Sequence, residues 1–119
     1  MVTPTALLGI QAEKDVERHI QRLGFRILDR NWRRPWGELD IVARKDNVIH
    51  FIEVKASAVR REGFAPTVRA DWRKMAKVRR TARTWLAAQN LSPQTSWQMD
   101  VASVIMEGDR SEIELFQNI

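Results

Sequence analysis

The stretch Gly37-Glu38-Leu39-Asp40-Ile41-Val42-Ala43, followed by Phe51-Ile52-Glu53-Val54-Lys55, decides the reading of this 119-residue chain. In the first segment Leu39, Ile41 and Ala43 alternate with Glu38, Asp40 and Val42, the period of a strand. Lys45-Asp46-Asn47 is hairpin chemistry, and Val48 to Lys55 reads as a second, more hydrophobic strand. Asp40 sits in the first strand, Glu53 thirteen positions later in the second, and Lys55 two residues further on. Residues two apart in a strand project to one face. Glu53 and Lys55 therefore point together, and a neighbouring strand can bring Asp40 alongside.

These charges interrupt Val48, Ile49, Phe51, Ile52 and Val54, a run apolar enough for an interior strand. Charge in such a place is costly unless it is paired or binds an ion. Two carboxylates meeting at a sheet edge repel unless something positive lies between them, and hard oxygen ligands suit Mg²⁺ or Mn²⁺. Lys55 beside them can orient an attacking water or stabilise negative charge developing on a phosphate. A solvated sheet face carrying the same three residues is the competing reading, since Glu-x-Lys alone is a weak pattern.

Outward from this hairpin, Leu8, Ala12, Val16, Ile20 and Leu23 follow a helical period from about Ala6 to Leu23, with Pro4 and Thr5 as start signals and Gly24 as the stop. Phe25 to Leu28 reads as a short strand and Asn31 to Trp36 as a basic, aromatic turn. Ala56 to Ala70, with Gly63 and Pro66, has no clean period and reads as a loop. Asp71 to Asn90 is the clearest helix. Met75, Val78, Ala82, Trp85 and Leu86 fall within about 100° of arc, and Arg73, Lys77, Arg80 and Arg83 lie on the opposite arc. Leu91 to Ser96 is a loop. Trp97 to Met106 and Glu112 to Phe116 read as final strands around Gly108-Asp109. The order α-β-β-β-α-β-β predicts a mixed sheet flanked by helices, an α/β or α+β fold in one domain over residues 1–119.

Composition removes several classes. There is no Cys, so disulfide scaffolds, thiolate zinc sites and Cys nucleophiles are excluded, and two His cannot build a His-rich metal site. No apolar run reaches the roughly 18 residues of a membrane span. Met1 to Leu8 carries no Lys or Arg, unlike a signal peptide. A cytoplasmic protein without a membrane is expected. Lys and Arg total 20 against 15 Asp and Glu, net +5, and most of the bases are Arg. By segment the net charge is +3 over 13–34, −1 over 35–55, +7 over 56–90 and −4 over 91–119, which sums to +5. Two basic blocks thus flank a short acidic centre. The helix stripe lacks acidic partners one turn away, which suits phosphate contacts, although a solvated helix face has the same pattern. Arg33 and Arg34 with Trp32 and Trp36 mix cations and aromatics beside the acidic centre. These Trp rings suit either half-buried packing or stacking on an unpaired base.

An Asp, a hairpin and then Glu-x-Lys ending an apolar strand resembles the restriction-endonuclease-like, PD-(D/E)xK superfamily. More closely, the chain resembles the YraN-type family of uncharacterised bacterial proteins, which are similar to archaeal Holliday-junction resolvases. The residues carrying this are Gly9 with Glu13, Gly24-Phe25-Arg26-Ile27-Leu28, Asn31-Trp32-Arg33 and Gly37-Glu38-Leu39-Asp40. Phe51-Ile52-Glu53-Val54-Lys55, Lys74, Ala82-Arg83, Trp85-Leu86 and Asp100-Val101 complete the set. The resemblance implies a restriction-endonuclease-like fold, Asp40 and Glu53 as metal ligands, Lys55 as the catalytic lysine and Glu13 as a further acidic ligand. Glu13 lies about 20° from Ile20 on the helical wheel, at the edge of the apolar stripe, where it either faces the sheet or stays on the surface. Glu38 shares the Asp40 alternation and serves either that group or turn packing.

The chain departs from the family pattern at several points. Leu39 stands where the superfamily name has Pro, Ala56-Ser57 replaces an expected Arg, Ala12 replaces the second Gly of the helix motif, and Gln98-Met99 replaces an Arg-Phe pair. No implied metal ligand is lost. The leading expectation is a Mg²⁺- or Mn²⁺-dependent nuclease hydrolysing DNA phosphodiester bonds, with branched DNA among its substrates. Arg33, Arg34, Arg73, Lys74, Lys77, Arg80 and Arg83 would hold the backbone. A nucleic-acid-binding module without turnover on the same fold is the alternative, and a protein-interaction domain with a basic face is a third reading. The oligomeric state is open, a homodimer included.

Overall fold

The computed structural model describes residues 3–57 and 72–119. Helix α1 (Pro4–Arg22) is capped by Thr3, whose hydroxyl accepts a hydrogen bond from the Ala6 amide at 3.1 Å. Pro4 occupies the first turn, where its missing N–H costs nothing. The helix therefore starts two residues before the periodic pattern does. It buries Ala12, Val16 and Ile20, as their spacing predicts, and stops at Arg22 with Leu23 as cap, followed by Gly24, whose φ of 93° suits glycine.

Five strands follow: β1 (Arg26–Arg34), β2 (Gly37–Lys45), β3 (Val48–Ser57), then helix α2 (Trp72–Ala88), β4 (Ser96–Glu107) and β5 (Arg110–Phe116). The sheet order is β1-β2-β3-β4-β5, antiparallel except for the parallel β3–β4 pair. The predicted α-β-β-β-α-β-β order and mixed sheet are thus present. The β2–β3 turn has Asp46 and Asn47 at φ of 51° and 63°, the two-residue hairpin their chemistry favours.

Two expectations are corrected. Asn31–Trp36 is not a turn: β1 runs on to Arg34, and only Pro35 and Trp36 separate Arg34 from its partner Gly37. The polar, basic composition looks like a loop because β1 is an edge strand whose outer side faces water. Its irregularities sit inside the strand, as a register shift between Ile27 and Asp29 and a left-handed Asn31 with φ of 50°. Ala56 and Ser57, assigned to a loop, continue β3 because β4 pairs with them in register as Ala56↔Val104 and Ser57↔Ile105. The rest of the predicted 56–70 loop, and Asp71, lie outside the described residues.

Each face of the sheet carries its own core. Ala12, Val16 and Ile20 of α1 pack on Ile41, Ala43, Ile52 and Val104. On the other face Ala82 and Trp85 of α2, flanked by Met75, Val78 and Leu86, pack on Leu39, Val42, Ile49, Phe51 and Met99. Leu39 and Ile41 serve opposite cores although they are two apart, so the pleat is broken at Asp40. Gly37 brings α2 close to β2. A Cβ there would collide with the Thr81 hydroxyl, which donates to the Lys77 carbonyl at 2.8 Å.

Candidate functional site

The β2–β3 ladder runs from Lys45↔Val48 to Ile41↔Ile52 and stops. The next pair in register would be Asp40 opposite Glu53. The strands part there, and the Asp40 carboxylate instead accepts the Val54 amide at 2.9 Å. A cleft of about 400 Å³ opens at this point. Glu13 from α1, Glu38 and Asp40 from β2, Glu53 from β3, and Lys74 and Lys77 from α2 line it. The two helices sit on opposite faces, so this end of the sheet is where both can reach one space.

Glu13, Asp40 and Glu53, distant in sequence, all line this one cleft. Burial pushes the Asp40 carboxyl up to about 6, opposed by the Val54 amide and reinforced by the negative charges of Glu13, Glu53 and Glu38. Burial also raises Glu13, against the lowering effect of a hydrogen bond with Asn31; Glu38 and Glu17 push it further up. Glu53 is buried in the central strand and forms an ion pair through Oε1 with Lys74. Its Oε2 atom is buried and has no hydrogen-bond partner among the described residues.

Lys55 shares the α2-side face with Glu53, opposite Ser103 of β4, and is half-buried. It does not appear among the described residues lining the cleft, whose cations are Lys74 and Lys77. Sequence reasoning grouped Lys74 with backbone-binding residues and missed its pairing with Glu53. A signal was present: Lys74, Val78, Ala82 and Trp85 lie three or four apart, which puts Lys74 on the buried side of α2.

The other basic residues spread outward. Arg33 pairs with Glu38 at 3.2 Å, Arg34 sits 3.6 Å from the Trp32 ring, and Arg80 lies 5.1 Å from the Trp36 ring. Arg73 lies 5.4 Å from the ring of Trp72, while Arg83 and Lys77 are exposed. Trp32 and Trp36 thus each pack against an Arg of the chain itself. Also missed was a buried polar knot on the α1 side. His50 Nδ1 lies 2.6 Å from Asp100 Oδ2, and Asp100 Oδ1 accepts from Gln98 Nε2 and the Asn118 amide.

Among the described residues, no three acidic or histidine side chains are grouped so as to hold a metal ion. The donor chemistry nevertheless fits a hard divalent cation. All three acids offer oxygen, one buried Glu53 oxygen has no partner among the described residues, and the mutual repulsion of the carboxylates would be relieved by positive charge. No helix among the described residues is long and apolar enough to cross a membrane.

A family model described as "Uncharacterised protein family UPF0102" matches residues 12–104, which include all three acids and both cleft lysines. A UPF0102 protein of Wolinella succinogenes is 33% identical over 111 residues, 93% of this chain and 94% of that protein. Another, from Syntrophotalea carbinolica, is 37% identical over 109 residues, 92% of this chain and 87% of its own. One from Nocardia farcinica is 38% identical over 100 residues, 83% and 76% respectively. With these matches along most of its length, the chain belongs to the uncharacterised protein family UPF0102, the YraN-type family that its motifs resemble.

Proposed function

We propose that the cleft is the centre of a divalent-metal-dependent nuclease acting on DNA, with branched DNA the substrate class suggested by the resolvase resemblance. The observation that carries this reading is the break in the β2–β3 ladder. It leaves Asp40 and Glu53 lining one cleft together with Lys74 and Lys77, and one Glu53 oxygen has no hydrogen-bond partner among the described residues. An interior sheet does not sustain such charge without an ion or partner, and with Lys74 paired to Glu53 the Asp40 carboxyl is still pushed up to about 6.

Asp40, Glu53 and Glu13 would hold the cation. Mg²⁺ or Mn²⁺, when bound, would activate water and neutralise charge on the phosphate. The Val54 amide holds one Asp40 oxygen, which fixes the carboxylate's orientation. Lys77, exposed at the cleft, offers charge to a phosphate oxygen, and Arg73, Arg80 and Arg83 extend that charge along α2. Lys55 would act on the water or leaving oxygen from the same face of β3 as Glu53.

A nucleic-acid-binding module without turnover is the second reading, favoured by Lys55 standing outside the cleft lining and by the ion pair that Glu53 already makes. One experiment separates them: cleavage of duplex, single-stranded, flap and four-way-junction DNA with Mg²⁺ or Mn²⁺. For a nuclease, Asp40→Asn and Glu53→Gln abolish metal-dependent cleavage and leave DNA binding intact or slightly tighter. Absence of hydrolysis by the wild type on every form, together with no metal binding, would rule out the enzyme.

A further inference from the structure

We propose that Lys74 and the divalent cation exchange at Glu53: in the metal-free protein Lys74 occupies the place where the cation binds, and metal entry releases its ammonium to the cleft. This rests on the metal-centre reading above and adds to it how that centre is held ready and switched on.

The two partners of the ion pair differ in exposure. The Glu53 side chain is 10% exposed and held by the central strand, whereas the Lys74 side chain is 57% exposed and sits at the start of α2. The carboxylate cannot leave; the ammonium can return to water on its flexible stem. Glu53 lacks a partner at Oε2 among the described residues and holds Lys74 at Oε1. A cation taking up Glu53 needs carboxylate oxygen at about 2.0–2.6 Å. An ammonium on the same carboxylate would then lie within a few ångströms of a doubly charged ion, in a partly buried site where repulsion is weakly screened. The two ions therefore compete for one group, and each binds at the expense of the other.

The exchange has a use at both ends. Without metal, Lys74 offsets the charge of a carboxylate whose neighbours Asp40 and Glu13 are also acidic. With metal, the released ammonium remains beside Lys77 at the mouth of the cleft, where an incoming phosphate needs cations. An anion that draws Lys74 outward also favours the metal, so metal and phosphodiester binding reinforce each other through this one side chain.

The test is Mn²⁺ titration of the full chain without DNA, followed by the electron-spin signal of free Mn²⁺. Lys74→Met removes the competing charge and should tighten Mn²⁺ binding about tenfold or more. Lys74→Arg should stay near the wild type, and Lys77→Met, which alters the cleft's field without touching the Glu53 pair, should change affinity less. Glu53→Gln should abolish tight binding in both the wild-type and Lys74→Met backgrounds. Circular dichroism accompanies each titration, and Lys74→Gln is read the same way should Lys74→Met not fold. Wild-type Mn²⁺ binding that Lys74→Met leaves unchanged or weakens overturns the exchange and spares the metal centre. Equal tightening by Lys77→Met also overturns the exchange, as a general field effect. No Mn²⁺ binding by either the wild type or Lys74→Met overturns both.

Discussion

Asp40, one position beyond the last β2–β3 pair Ile41↔Ile52, accepts through Oδ2 the backbone N–H of Val54, two positions beyond that pair, at 2.9 Å. A side chain thus takes the bond that a neighbouring strand would otherwise provide. The ladder can open into a cleft without leaving that amide unsatisfied. The same contact aims the carboxylate into a space already occupied by negative charge, so the fold carries an electrostatic cost at the place where a cation would be used.

That cost predicts a pH dependence. The Asp40 carboxyl titrates at about 6 in the folded protein against 3.8 for the ordinary value. The folded state therefore binds more protons than the unfolded state between these values, and stability falls as pH rises from about 4 to about 6. Asp40→Asn keeps an oxygen for the Val54 amide and does not titrate. In buffer free of divalent ions it should be more stable than the wild type above about pH 7, by about 1–3 kcal/mol, and lose the advantage below about pH 4. Urea unfolding at the two pH values measures this; an equal difference at both would place the origin of the shift elsewhere.

Gly37 and Thr81 hold α2 against β2, and a Cβ at position 37 meets the Thr81 hydroxyl. Gly37→Ala should destabilise by about 1–3 kcal/mol through overpacking. Removing the hydroxyl with Thr81→Ala leaves ordinary contact with Cβ at 3.5 Å, so the double variant should recover much of the loss. Thermal melts of the two single variants and the double variant close this cycle, and simple additivity would show that the two residues do not meet.

The basic residues of α2 should act on DNA without regard to sequence. Replacing Arg73, Lys77 and Arg80 together by Ala should weaken binding uniformly and reduce the slope of log affinity against log salt by up to about three contacts. Fluorescence anisotropy from about 50 to 200 mM salt reads it. An unchanged slope would move the DNA surface to Arg33 and Arg34.

Asp100 is buried at 1% exposure and joins His50, Gln98 and the Asn118 amide. Asp100→Ala strands those donors and should cost about 3–5 kcal/mol, with the C-terminal residues released from β4. Denaturant unfolding and protease sensitivity of the last residues check this. A loss below about 1 kcal/mol would mean that water replaces the carboxylate readily.

Local pattern is enough to read the order of elements, the apolar faces of both helices and the hairpin that carries Asp40 and Glu53. Those depend on local periodicity and turn chemistry: Ala12, Val16 and Ile20 at helical spacing, and Asp46-Asn47 accepting positive φ. The extent of β1 was not legible because Asn31 to Arg34 carry polar, turn-like chemistry, and only pairing with β2 makes them a strand. Alternation alone could not show that the pleat breaks at Asp40, since this follows from two cores pulling Leu39 and Ile41 to opposite faces. Nor could it show which lysine meets Glu53. Lys55 is nearer in sequence, but α2 crosses the open end of the ladder, and the approach permitted by Gly37 sets Lys77 beside the acids while Lys74 takes the carboxylate. Pairing between distant charges is a property of how helices pack on a sheet, and no local pattern encodes it.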